Sequence, residues 1–337
     1  MKIRAIIIPT FFVAILSLIT ACDKEYEIYS DDVFQQENNN PDDPVQDSTI
    51  DINDYFSNSV SLHDFAFDSQ NRLWAATNRG LLLLDSVSSS IINTQSSPLT
   101  DNDINYISID DENRAWICIN EAIFMYDIEN LLWQSYTSEN TDAYINHSSK
   151  VYTDRPGHLY MFSFDDMYEF DGNSWQLKVK LNALFENFGY YIQTDAPCSW
   201  HDTTMWINSY DGLIALYNDS TAHLFNTANS GISDNSLVGV HTDDNGNVWM
   251  TNDSGIEMYD GENWHVFSDH YYLMVQGNTV LSYADNRTYK WENNNWNYCE
   301  VGNNQYHGHF NNGIADRNGN IWLSRGDIIY KTSLRAE

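Results

Sequence analysis

The chain runs to 337 residues, 42% of them apolar, enough material for one large core or two ordinary ones. Acidic residues outnumber basic ones 48 to 16, for a formal net charge of −32; such a surface repels phosphate backbones and anionic lipid, which excludes a nucleic-acid partner and membrane adhesion by charge alone. Aromatic residues reach 14%, with 22 Tyr and 11 Trp, a load that favours strands.

Residues 1–22 read MKIRAIIIPTFFVAILSLITAC. Lys2 and Arg4 give a positive start, and an apolar stretch from Ala5 to Ala21 is interrupted by polar Thr10, Ser17 and Thr20. It is short for a membrane span of ~20 residues and reads as a secretory signal. Its end, Ile19-Thr20-Ala21-Cys22, resembles a bacterial lipobox, in which the bond before the cysteine is cut and the cysteine is lipidated. The expectation is a lipoprotein signal over 1–21, with acyl chains on Cys22 holding an exported protein to a bacterial membrane, the outer membrane by preference. The plainer alternative is an ordinary signal or an uncleaved anchor with a chance cysteine. Residues 22–50 are acidic, amide-rich and proline-interrupted, without the apolar period that would offset their ordering entropy. They read as a disordered tether, and a flexible coil of that length spans roughly 30 Å. The DKEYE after Cys22 is an imperfect match to the surface-export signal of Bacteroidetes lipoproteins.

From residue 51 onward one unit recurs. NRLWAATNRGLLLLD carries Trp74, NRAWICINEAIFMYD Trp116, GHLYMFSFDDMYEFD Tyr160, TTMWINSYDGLIALYN Trp206, GNVWMTNDSGIEMYD Trp249 and GNIWLSRGDIIYKTS Trp322. A degenerate copy, NTVLSYADNRTYKWE, is centred near Leu281. The intervals are 42, 44, 46, 43, about 32 and about 41 residues, the period of a four-stranded propeller blade. In each copy a strand ends in Asp (FAFD, ISID, VYTD, VHTD), a turn leads to the Trp strand, and a second turn leads to a third strand ending in Asp or Asp-Gly. A fourth strand often begins with Trp. Asn, Asp and Gly suit such turns because they tolerate positive φ and bond their own backbone.

The last copy stops after its third strand, and IDINDYFSNSVS before the first copy looks like the missing fourth strand and its following loop. A blade completed by both termini closes the ring and removes free edges. The predicted fold is therefore all-β: a seven-bladed propeller of four-stranded blades over 51–337, closed by N- and C-terminal strands in one blade. This pattern, Asp–turn–Trp strand–Gly–apolar strand–Asp-Gly-x-x-Trp, resembles the two-component regulator propeller repeat of periplasmic sensor regions in hybrid sensor kinases. The resemblance implies an extracytoplasmic ring that binds a ligand or partner. Those sensors continue into a membrane span and a kinase, which this sequence lacks after the ring, so phosphotransfer is not expected.

In such a ring, the loops from fourth to first strands and from second to third strands converge on one face. That face would carry SENTDAYINH, NALFENFGYY, SDHYYL and GNNQYHGHF. Aromatic platforms flanked by amides and carboxylates suit sugar rings, and the candidate ligand contacts are Tyr144, His147, Phe188, Tyr190, Tyr271, His307 and His309. Packing between blades is the competing role for each aromatic. His307-Gly-His309 places two imidazoles on one side of a strand, with His147 or His270 as further ligands, yet two histidines on an exposed loop are ordinary polar residues. In DDNGNVW and DRNGNIW the Gly is fourth in the loop and no Glu closes it, so calcium does not fit. Neither a metal nor a cofactor is expected. Sialidase-like propellers need an arginine cluster, and only eight arginines follow the signal. The sequence supports, in order, a non-catalytic propeller binding a glycan, peptide or partner protein, a carbohydrate-active enzyme on the same ring, and an envelope scaffold. Cys118, Cys198 and Cys299 lie in different copies and read as buried thiols, with a Cys198–Cys299 bridge left open.

Overall fold

The computed structural model describes residues 49–153, 157–163, 166–185, 198–217, 221–285, 287–301, 312–332 and 334–336. The segment read as signal and most of the tether lie outside them, as do Cys22, Phe188, Tyr190, His307 and His309.

Each repeat folds into an antiparallel four-stranded sheet, and the seven sheets are seven blades. Blade 1 runs Leu62–Phe67, Leu73–Thr77, Gly80–Leu84 and Ser89–Ile92, from the innermost strand outward. The inner strands of blades 2 to 6 are Tyr106–Ile109, Val151–Tyr152, Cys198–His201, Leu237–Thr242 and Tyr271–Gln276. Blade 7 takes Asn312–Ala315, Ile321–Arg325 and Ile328–Thr332 from the C-terminal region and Thr49–Asp51 from the N-terminal side. Thr49 pairs with Tyr330 and Asp51 with Ile328. Of the segment IDINDY only Ile50 and Asp51 belong to the closing strand, and the rest forms a single 3-10 turn, Ile52–Tyr55. Ile50 and Ile52 are buried beside Trp322 and Phe67, which locks blade 7 to blade 1.

The core is distributed around the ring. Seven apolar clusters occur among the described residues, one at each junction of neighbouring blades. The Trp of a second strand packs on the third- and fourth-strand aromatics of the next blade: Trp116 on Phe170 and Trp175, Trp206 on Tyr259, Trp249 on Trp291 and Trp296. Each such pair adds about 0.5–1.5 kcal/mol beyond the area it buries. Blade 6 has Leu281 at the Trp position, and its junction with blade 7 is the small cluster of Met274, Leu281, Cys299, Ile321 and Leu323.

The turn aspartates explain the rest of the pattern. Asp68, Asp110, Asp243 and Asp316 each accept the indole N–H of the Trp six residues on, at 2.8–3.0 Å. The other carboxyl oxygen of each accepts backbone N–H groups two and four residues on. Arg72, Arg114, Asn247 or Asn320 adds a side-chain bond. At the second-to-third-strand turn, Gly212 has φ +135°, and a Cβ there would lie 2.1 Å from the Phe225 carbonyl oxygen.

Two elements depart from the sequence expectation. A short helix, Leu181–Phe185, follows blade 3 and buries its first and last residues. Leu334–Ala336 returns as a fifth strand on the outer edge of blade 6, paired with Cys299–Val301. Among the described residues no helix is long and apolar enough to cross a membrane.

Candidate functional site

Inner strands line the centre of a propeller, so the residues at matching heights on them set the chemistry of the channel. Register fixes the heights. Asp64 lies opposite Ala76, Tyr106 opposite Cys118, Gly239 opposite Thr251 and Asn312 opposite Ser324. Each is two residues before the one opposite its repeat's Trp. Lys150 stands at the same height in blade 3, two residues before Tyr152, which faces Tyr160.

These side chains meet. Asp64 Oδ1 accepts from Asn312 Nδ2 at 2.7 Å and from the Phe65 N–H; Oδ2 accepts from Lys150 Nζ at 3.2 Å and from the Ile107 N–H at 3.3 Å. One carboxylate therefore ties blades 7, 2 and 3 to blade 1 across the channel. Its side chain is 5% exposed, whereas that of Lys150 is 31% exposed. The ammonium also lies 5.1 Å from the centre of the Tyr106 ring. Burial works against the Lys150 charge, but the carboxylate of Asp64 and the hydrogen bond to it prevail and hold its pKa above the ordinary lysine value. Lys150 is consequently a fixed cation and a poor nucleophile at neutral pH.

A cavity of about 200 Å³ opens beside this cluster, bounded by the inner strands of blades 1, 2, 3 and 7, with Lys150, Thr153, Ser108 and Asn312 among its walls. Asp64 is the sole carboxylate on its described walls, and its oxygens already accept four hydrogen bonds. In blade 5, His241 faces Trp249 in register. Burial, reinforced by the charge of Lys150, pushes its pKa down to about 4, so it is neutral at physiological pH.

Among the described residues, a second-to-third-strand turn meets the loops that lead into the inner strands of blades 1 and 2 on one face. Asn78, in a second-to-third-strand turn, exchanges bonds with Ser61 at the start of blade 1, and Ile104 N–H reaches the Thr77 carbonyl. On this face Tyr144, Tyr210, Tyr271 and Tyr272 are 44–56% exposed. His147 is also exposed, and its carbonyl accepts from Asn105 Nδ2 at 3.0 Å. The Tyr271 hydroxyl donates to the Ser268 carbonyl. Tyr144 and His147 share the loop before blade 3 and Tyr271 opens blade 6, so the ring separates them. Neighbouring His270 is a core residue: it is 7% exposed, bonds Ser282 Oγ at 2.7 Å and stacks on Trp296. Burial holds its pKa below the ordinary histidine value. Candidates Phe188, Tyr190, His307 and His309 fall outside the described residues. No group of three metal-ligating side chains occurs among the described residues.

Sequence reasoning missed Asp64, Lys150 and Asn312. A signal was available: each lies four residues before its repeat's turn Asp, at Asp68, Asp154 and Asp316. Polar residues there break an otherwise apolar alternation.

The geometry thus defines a seven-bladed propeller with a latched, partly open channel. No protein-family model matches the sequence, and no curated protein does. Among solved structures, virginiamycin B lyase from Staphylococcus aureus is similar, with TM-score 0.64 and 11% identity over 86% of this chain and 99% of the lyase. The extracellular domain of BT3049 from B. thetaiotaomicron, assigned as a hybrid two component system, gives TM-score 0.63 and 17% identity. That likeness covers 80% of this chain and 39% of the other. YCF48 bound to D1 peptide gives TM-score 0.62 and 14% identity over 86% and 97% of the two chains. At these identities the likeness shows the fold. The neighbours include extracellular sensor propellers of the kind that the repeat resembles.

Proposed function

We propose that this protein is a non-catalytic, exported propeller that captures a glycan, a peptide or a partner protein on its loop face. Lipid on Cys22 would hold it to the outer membrane. The observation that carries the reading is the set of exposed tyrosines, Tyr144, Tyr210, Tyr271 and Tyr272, on the face where the inner strands begin. Elsewhere the repeat's large aromatics are sealed between blades, as Trp74, Trp116, Trp175, Trp249 and Trp322 are. Exposed aromatic rings beside amides give stacking area with hydrogen-bonding partners, the chemistry of sugar and peptide recognition. Support also comes from the neighbours, since YCF48 is described with a bound D1 peptide and a virginiamycin B lyase with quinupristin.

A screen of the full chain against glycans, polysaccharides and peptides, with product analysis, tests this. Binding without turnover that weakens in Tyr144→Ala or Tyr271→Ala is expected. Turnover of a saccharide would overturn the non-catalytic reading in favour of a carbohydrate-active enzyme.

A further inference from the structure

We infer that the channel cavity is a binding site for a small carboxylate, held by Lys150. The inference rests on the ligand-binding reading above and names the chemistry of its innermost contact.

Three observations converge. First, the Asp64–Lys150 pair is lopsided: the carboxylate is sealed, with four protein donors on its two oxygens, while the Lys150 side chain is partly open. Asp64 also lines the cavity, but its oxygens are taken up by protein donors, so the donor a ligand meets there is the cation. Second, an ammonium has three N–H donors. One goes to Asp64 Oδ2, and the Tyr106 ring covers a second side. That leaves donor capacity toward the cavity that Lys150 shares with Thr153. Third, Lys150 is the sole cationic side chain on the described cavity walls, in a chain where acids outnumber bases 48 to 16. Its charge is secured, as its raised pKa indicates. His241, neutral at physiological pH, leaves Lys150 without a competing cation.

Size narrows the class. At ~30 Å³ per water, the cavity of about 200 Å³ holds on the order of half a dozen waters. It suits one sugar-acid ring or one amino-acid-sized group, not a polymer segment. A carboxylate bound there would form a charge-assisted hydrogen bond with Lys150 in a partly dehydrated setting, where such bonds are stronger than at the surface. The same carboxylate could belong to a uronic acid or to the C-terminus of a peptide.

Ligand-observed NMR on the full chain separates these cases. The probes are galacturonate against galactose, and N-acetylalanine against its amide. Binding of one or both acids and of neither neutral counterpart is expected; the acid that binds names the source. The charge-free double variant Asp64→Asn/Lys150→Met removes both ions together and so leaves no buried unpaired charge. It should weaken binding by at least about tenfold, the factor corresponding to ~1.4 kcal/mol. Asp64→Asn alone removes the charge that holds Lys150 ionised, so acids should still bind at pH 6 and bind less well as pH rises. Loss of acid binding at pH 6 in this variant overturns the proposal. Equal binding of acids and neutral forms overturns the proposal, as does binding that survives the double variant. If only neutral glycans or peptides bind, and lose affinity in Tyr144→Ala or Tyr271→Ala, the loop-face reading stands and the channel inference fails. If no probe, glycan or peptide binds, both fail.

Discussion

Trp249 donates its indole N–H to Asp243 Oδ2 across 3.0 Å, both residues being 4% exposed or less. The same carboxylate accepts the N–H groups of Asn245 and Asn247 on its other oxygen. One side chain thus shapes the turn and anchors the ring that packs on blade 6. Asp243→Ala leaves a buried indole N–H and two turn amides without their partner. The expected loss is about 2–4 kcal/mol, read as a lower urea midpoint at unchanged slope. Asp253→Ala, in an exposed turn of the same blade, is the control and should change stability by less than ~0.5 kcal/mol.

Gly212 stands at φ +135°, and any Cβ would run into the Phe225 carbonyl, which ends the neighbouring outer strand. Both the dihedral and the space are closed to other residues. Gly212→Ala should therefore cost more than the ~1 kcal/mol that the same change gains where the backbone permits it, with a lower melting temperature. Gly261→Ala meets no atom within 4 Å and carries only the strain of φ +96°, so its effect should be smaller.

The repeat was legible because its marks are local. A turn Asp and a Trp six residues apart bond each other, so the spacing that builds the blade is written in consecutive residues. Ring closure was legible for a similar reason: the last copy lacks a fourth strand and the segment around Ile50 supplies one, paired with Ile328–Tyr330. Asp64, Lys150 and Asn312 were not assembled in advance. They sit up to 248 residues apart, and only closure of the ring brings them to one height. The Leu334–Ala336 return strand lacked a distinctive pattern, since its pairing with blade 6 depends on where blade 7 stops.

That return strand has an energetic role. It joins the end of blade 7 to the outer edge of blade 6, across the junction whose cluster lacks a Trp. Removing residues 333–337 should lower the melting temperature by a few degrees, as loss of ~1 kcal/mol does in a domain of this size. Faster amide exchange should appear in Asn295–Val301 and Asn312–Ala315 before blades 1 and 2 are affected. Uniform exchange around the ring would show that the strand does not brace this junction.

Cys118 and Cys299 are free and buried. Burial pushes their thiols up to about 12 and about 11, so neither forms thiolate at neutral pH; the bridge to Cys299 left open by the sequence is not made, since that thiol is free. Alkylation by iodoacetamide at pH 8 should leave both unmodified in the folded protein and label both in urea. Rapid labelling of Cys118 under native conditions would show that the junction of blades 2 and 3 opens.

Acid should unfold the ring in two stages, and His241 sets the first. Its folded pKa of about 4 lies below the unfolded value. Its stabilising contribution is therefore complete above pH ~6.5 and declines as pH falls toward 4, with a ceiling of about 3 kcal/mol. His270 shifts in the same direction. The second stage belongs to carboxylates. Asp316 stays below the ordinary aspartate value because bonds from Trp322 and Asn320 outweigh its burial, and Glu169 stays below the glutamate value through Lys178 and His158. Their contribution is present above the unfolded values near 4 and is lost as pH falls through the folded ones. Urea midpoints measured from pH 7 to pH 3 should fall across both windows. In His241→Gln the decline between pH 6.5 and 4 should shrink to what His270 supplies, while the loss below pH 4 persists; an unchanged upper slope would place the titrating group elsewhere.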